Sequence, residues 1–354
     1  MAVKNFEQID VNNDVTTTRT LLHEAIPVTG TIINSGTYAN SNIKNFTHGM
    51  FQSVYDYAYL SSSANHIFDL SVCYAASSSY SASANVQNDK KINMYTEFAQ
   101  TLLGYTGSLT DPAKQVRLFE NELTLGGSSL SGTMDSVFVI NFSRLLTKDQ
   151  IKKGTFNLAL MSGAFGTPYQ SGTSMATLSD ASASADGTGT ANVLGGDYAL
   201  LYSDQTNGVS GAIFYQAGIA VVTSSVFGTI PDFYVNASGT WGVAATLTSS
   251  NITGACDAFR ERINNLSFNN TTEINSKIYF CRAPHNKFNY SSNPTYLSGS
   301  KIRVKNTASD QPVSYITTIG LYNSSGEMLA VAKLSEPIRK DPTNDITLRV
   351  RLDY

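Results

Sequence analysis

His23-Glu24 opens what would be a His-Glu-x-x-His motif, in which two histidines one helical turn apart hold zinc while the glutamate serves as base. Pro27 stands where the second histidine is needed, so the pair of ligands is incomplete. Asp10, Asn12 and Asp14 fall at the first alternating positions of a calcium loop. Val15 replaces the glycine of its turn, and no glutamate follows at the closing position, which predicts a solvated turn instead. His66 and His285 show no cysteine or carboxylate at ligand spacing. Cys73, Cys256 and Cys281 are odd in number and match no zinc or redox spacing, so they read as small buried apolar residues. The phosphate-cradling patterns GxxxxGK[ST] and GxGxxG are missing, and Gly126-Gly127 and Gly195-Gly196 read as tight turns. The sequence singles out no pair of carboxylates for glycoside cleavage.

Gly172-Thr173-Ser174-Met175-Ala176 is similar to the nucleophile motif of subtilisin-like serine proteases. In that family the serine opens a buried helix and the motif runs on into a proline. Here Thr177-Leu178-Ser179-Asp180 follows, the histidine motif is reduced to His48-Gly49-Met50, and the aspartate element is missing. A serine without a positioned base is not an activated nucleophile. The expectation is therefore a chain that is not an enzyme, with no catalytic, cofactor-binding or metal-binding residues and no cofactor.

Charged residues make up 14% of the 354 residues, against roughly 25% in an average soluble protein. Ser, Thr, Asn, Gly and Tyr must supply the polar surface. A net charge of −3 offers no basic field for phosphates, so no nucleic-acid partner is expected. Without an apolar leader or a stretch long enough to span a bilayer, the chain reads as soluble, made in a reducing cytoplasm, with no membrane partner. The 19 tyrosines fit a sugar-binding face or a protein interface.

The elements that would position any site are mainly β, arranged in antiparallel sheets or a sandwich with a few short helices. Residues 1–35, with Thr16-Thr17-Thr18-Arg19-Thr20, read as an extended arm or edge strand of the kind that reaches onto a neighbour. A β-rich region follows over 36–167, with a helix near 89–104 whose apolar positions Ile92, Tyr95, Phe98, Ala99, Leu102 and Leu103 recur at helical spacing and stop at Gly104. Val137–Phe142 and Thr155–Met161 read as strands. Between them, Thr147 and Gln150 fit a capping box and Gly154 a stop. Residues 168–196 are nearly all small and polar, which predicts a flexible loop or linker and the boundary between domains. Strands are expected at Tyr198–Tyr202 and at Ala212–Phe227, the latter two strands or one bent at Gly218, then a short helix through Ala258, Phe259, Ile263 and Leu266. The 197–354 region is expected to end in a hairpin, Tyr315–Tyr322 with Met328–Leu334, and a terminal strand, Ile346–Leu352, all in one ordered C-terminal sheet.

Asn264-Asn265-Leu266-Ser267-Phe268-Asn269-Asn270-Thr271-Thr272-Glu273, Ile278-Tyr279-Phe280-Cys281-Arg282 and Phe288-Asn289-Tyr290-Ser291-Ser292-Asn293-Pro294-Thr295-Tyr296 resemble virion structural proteins of marine tailed bacteriophages of the contractile-tail type. Ser314-Tyr315-Ile316-Thr317-Thr318-Ile319-Gly320-Leu321-Tyr322 and the terminal Leu348-Arg349-Val350-Arg351-Leu352-Asp353-Tyr354 share that resemblance, as do His48–Asp56 and Asn141–Lys148 upstream. It covers the chain beyond about residue 258 and is patchy before it. The resemblance implies a structural subunit of a virion, most of all a tail component of baseplate or neck, with copies of itself and other virion proteins as partners in a symmetric assembly. A capsid or head decoration protein and a receptor- or glycan-binding tail module are the alternatives. The family carries no catalytic residues to transfer.

Overall fold

The computed structural model describes residues 6–27, 40–82, 87–106, 115–125, 128–129, 134–166, 173–184, 188–205, 208–228, 230–291, 296–298, 301–302, 307 and 309–354. The chain is mainly β, with antiparallel strands and a few short helices, as its patterning predicts. In chain order the principal elements are β1 (Val15–Pro27), β2 (His66–Tyr74), α1 (Asn88–Leu103), β3 (Ser136–Phe142), β4 (Asn157–Met161), β5 (Ser174–Ser179), β6 (Gly196–Ser203), β7 (Val209–Phe214) and β8 (Ile219–Thr223). They continue with α2 (Val243–Leu247), α3 (Thr253–Glu261), β9 (Ile263–Ala283), β10 (Ser314–Tyr322), β11 (Met328–Lys340) and β12 (Ile346–Asp353). Two compact units result, one of Leu22–Thr272 and one joining Met1–Leu21 to Glu273–Tyr354. Both β1 and β9 are divided between them.

In the larger unit, β3 reads Ser-Val-Phe-Val-Ile-Asn-Phe, a run of β-branched and aromatic residues suited to a pleated, buried position. It pairs with β2, Leu70 opposite Ile140 and Val72 opposite Phe138, and on its other side with β8, Val221 opposite Val139. Successive side chains point to opposite faces. Phe138, Ile140 and Phe142 therefore enter one apolar cluster, and Val137 and Val139 enter a second. The second is covered by α1 through Met94, Tyr95, Ala99 and Leu102. The first is covered by α3, whose Phe259 stacks on Phe138 with ring centres 4.7 Å apart. Phe142 also meets Phe156 and Phe268 at 6.0 and 5.1 Å, so the strands leading into β4 and along β9 close over the same cluster.

The predicted helix is α1, ended by Gly104 at φ 81° with its N–H donating to the Gln100 carbonyl. The predicted bend at Gly218 is a turn between two strands, β7 and β8, at φ +68°.

Several expectations need correction. The described part of 168–196 is not simply a loop: β5 pairs with β4, Leu178 opposite Leu158, and Leu178 and Ala176 are buried. Two apolar residues at alternate positions suffice there because the neighbouring strands supply the rest of the core. The division into units accordingly falls at 21/22 and 272/273 and not in this segment. Thr147 ends a helical turn, Arg144–Thr147, where a cap at its start was expected, and Gln150–Ile151 is a short strand paired with Asn270 and Thr271. Ile263 and Leu266 belong to β9, since α3 stops at Glu261. The terminal segments do not share one sheet: β10 and β11 pair only with each other, and β12 joins β9. Asp341 and Asn344 close the turn that redirects the chain, with the Asp341 N–H donating to the Asn344 side chain. Residues 1–5 and 28–35 of the expected arm lie outside the described residues.

In the smaller unit, β12 pairs with β9 from Ser276 opposite Asp353 to Ala283 opposite Ile346. Val350 is buried while Arg349 and Arg351 are exposed, the alternation the sequence predicts.

Two outcomes are expected. Phe138→Ala lowers unfolding free energy by about 3–5 kcal/mol in urea titration, because it opens a cavity at a residue with no exposed surface. Deleting Arg349–Tyr354 removes five of the eight β9–β12 pairs, so amide hydrogen exchange at Ser276–Phe280 becomes fast.

Candidate functional site

Each residue that sequence spacing brought forward has a definite place. Ser174 begins strand β5, opposite Met161, where the protease motif requires the first turn of a helix. His23 lies in β1 with Nδ1 3.1 Å from the Thr271 hydroxyl, and the extended backbone sends Glu24 to the opposite face. Asp10 closes the expected turn: its carboxylate accepts from the Asn12 N–H and the Asn13 amide, and these hydrogen bonds hold its pKa below the usual carboxylate value. Asp14 pairs instead with Arg282 at 2.6 Å. Cys73 and Cys256 are buried, their thiols pushed far up by desolvation, and Cys281 is half-buried.

His66 corrects the sequence reading. A carboxylate three residues on, Asp69, lies 2.8 Å from its Nε2 and also accepts from the Ser53 hydroxyl at 2.6 Å. Serine, aspartate and histidine thus meet, but with the aspartate in the middle. The imidazole of a nucleophilic triad must stand between the other two. Here Ser53 donates to a carboxylate and is not presented to a base. Among the described residues, no group of three or more His, Cys, Asp or Glu side chains could hold a metal ion.

Three buried polar side chains went unread in the sequence. Lys91, on the core side of α1, donates to the Leu247 and Ser249 carbonyls at 2.6 and 2.8 Å and so caps the end of α2. Arg262 donates to the Phe233 and Ala258 carbonyls at 2.9 Å each and to the Asp232 carbonyl at 3.2 Å, with its guanidinium 4.8 Å from the Phe233 ring centre. Asp180 accepts from the Gly154 and Phe156 N–H groups and from the Tyr215 hydroxyl. All three gather backbone groups that helix and sheet leave over, which is a fold-holding task.

The surface offers something different. In the smaller unit, the β10–β11 hairpin presents Leu329 at 69% exposure with Val331 and Met328 at 57% each. Tyr322 extends the patch and meets Phe6 edge-on at 5.1 Å. β1, too, is exposed along almost its whole length, including Leu21 and Leu22. A two-stranded sheet with one apolar face in water is marginal by itself, and a contiguous apolar patch of this kind marks a contact surface. Sequence alternation placed these side chains on strands. It left open which face the rest of the chain would cover.

Known family models, curated proteins and solved structures give no match to this chain.

Lys91 yields a pH-dependent outcome. Burial pushes its ammonium down to about 8, while the unfolded chain titrates near the ordinary lysine value. Between those two pKa values the unfolded state binds more protons, so stability rises with pH across that window. Below it, the buried charge costs the folded state about 3 kcal/mol. The difference in unfolding free energy between the native protein and Lys91→Met should therefore grow in favour of the native protein by that amount from pH 7.5 to pH 10.5. The tyrosine and cysteine titrations are common to both proteins and cancel.

Proposed function

We propose that the chain is a structural subunit of a tailed-bacteriophage virion, a tail component of baseplate or neck that works by assembly with copies of itself and other virion proteins. The observation that carries this reading is the apolar hairpin, with Leu329 and Val331 open to solvent on a two-stranded sheet. Such side chains lose favourable free energy in water, roughly 1.5–3 kcal/mol each, that burial by a neighbour restores. The exposed edge strand β1 supports the same reading, since unpaired strand edges accept a strand from another chain. Low charge agrees with it too: interface cores are depleted in charged residues and enriched in aromatic ones. The resemblance of the segments beyond residue 258 to phage virion proteins supplies the biological setting.

Mass spectrometry of purified particles separated into heads and tails tests the reading directly. Peptides of this chain are expected in the tail fraction; recovery from heads alone moves it to the capsid, and absence from both ends the structural reading. A second arm isolates the surface. Leu329→Asp with Val331→Asp should leave the circular dichroism spectrum of the isolated protein unchanged and reduce incorporation into particles at least about tenfold.

A further inference from the structure

At the open end of the hairpin, away from its turn, the two strands build a second surface of opposite character. Tyr315 and Arg339 are directly opposed across the ladder and so lie on one face. Asp310, Gln311 and Val313, in the segment that leads into β10, and Asp341 and Thr343, in the turn that follows β11, join them to line a groove of 460 Å³. The volume lies in the range of small-molecule sites, ~300–1,000 Å³.

The groove is fixed from behind. Lys340, with no exposed surface, donates to the His285 carbonyl at 3.3 Å, the Asn289 side chain at 2.7 Å and the Asp341 carbonyl at 2.9 Å. Ser314 donates to the Phe288 carbonyl on the same side. The Asp341 carboxylate accepts from the Thr343 N–H at 2.9 Å and from its hydroxyl, and pairs with Arg339 at 3.3 Å. These hydrogen bonds and the guanidinium hold its pKa below the usual carboxylate value, so it stays an acceptor at neutral pH. Tyr315 keeps 49% of its surface open.

The chemistry of the lining selects the ligand class. Asp310 and Asp341 outnumber Arg339, which disfavours phosphate, sulfate and carboxylate ligands. Val313 and the Tyr315 ring are too little apolar surface for a lipid chain. A neutral sugar matches on both counts. Its C–H face packs on an aromatic ring while its hydroxyls, each both donor and acceptor, answer carboxylate, guanidinium, amide and hydroxyl groups.

We propose that this groove binds a neutral oligosaccharide, with the ring of Tyr315 as its stacking platform and Arg339, Asp341 and Gln311 as its hydrogen-bonding partners. The inference goes beyond the assembly reading and stands apart from it, because Leu329 and Val331 belong to the other end of the hairpin.

Saturation-transfer NMR on the full chain, with neutral hexose and N-acetylhexosamine trisaccharides and a sulfated disaccharide as probes, tests it. Transfer to the ring protons of at least one neutral trisaccharide is expected at millimolar concentration. Affinity should fall about tenfold in Tyr315→Ala and be kept in Tyr315→Phe, which retains the ring and reports that the hairpin is intact. Silence from every neutral sugar, binding of the sulfated sugar alone, or equal affinity in Tyr315→Ala would each overturn the proposal. Incorporation of Tyr315→Ala into particles reads the assembly surface separately.

Discussion

Burial of β3 on both of its faces is the constraint on which the larger unit depends. A strand with Phe138, Ile140 and Phe142 on one side and Val137 and Val139 on the other cannot face water at all. Each face must be covered, and a sheet cannot cover itself on both sides with neighbouring strands alone. One face takes α1. The other takes α3 together with the strands that close over Phe142. The placement of α1 and α3 follows from that requirement.

Covering both faces brings backbone ends into dry surroundings, and the buried charges answer that cost. The last carbonyls of α2 lack helical partners and meet Lys91; the end of α3 and the Asp232–Phe233 segment meet Arg262; the N–H groups at Gly154 and Phe156 meet Asp180. A lone buried charge is expensive, but one that accepts or donates several hydrogen bonds to peptide groups replaces most of its lost hydration. Desolvation still dominates at Asp180, whose pKa is raised despite three hydrogen bonds that act to lower it. These side chains therefore hold the loops in register more than they add net stability.

Much of this was legible. The β-rich class, α1 with its stop at Gly104, and the alternation of β12 follow from periodicities that local physics enforces. The small polar run that contains β5 misled because propensity is judged residue by residue, whereas Ala176 and Leu178 gain their strand from β4 and β6 on either side. Lys91 and Arg262 were hidden for a related reason: nothing in a charged residue's identity tells that a set of stray carbonyls will surround it. Ser53, Asp69 and His66 show the same limit, since hairpin pairing, not spacing, sets which of them stands in the middle. The groove was hidden too, since only the pairing of β10 with β11 puts Tyr315 and Arg339 on one face.

The hairpin carries two surfaces because its alternation breaks. Along β10 the half-buried or buried positions are Ser314 and Ile316, then Ile319 and Leu321, so a step of three interrupts the steps of two, and both Thr317 and Thr318 are exposed. The ladder shifts register at that point, between Ile316 and Thr318, with residues 334–337 of β11 looping past a single partner position. A bulge of this kind flips the phase of the strand and adds twist, so side chains on either side are aimed differently. Before it, Tyr315 faces Arg339 and the polar groove. Beyond it, Gly320 opposes Val331, and the Tyr322 ring lies so close over Gly320 that a β-carbon there would come within 2.8 Å of it. A strand with unbroken alternation would merge the groove and the apolar patch into one face. The bulge keeps a wet, hydrogen-bonding surface and a dry one on the same two strands, which lets the apolar end be covered by a neighbour while the polar end stays in solvent.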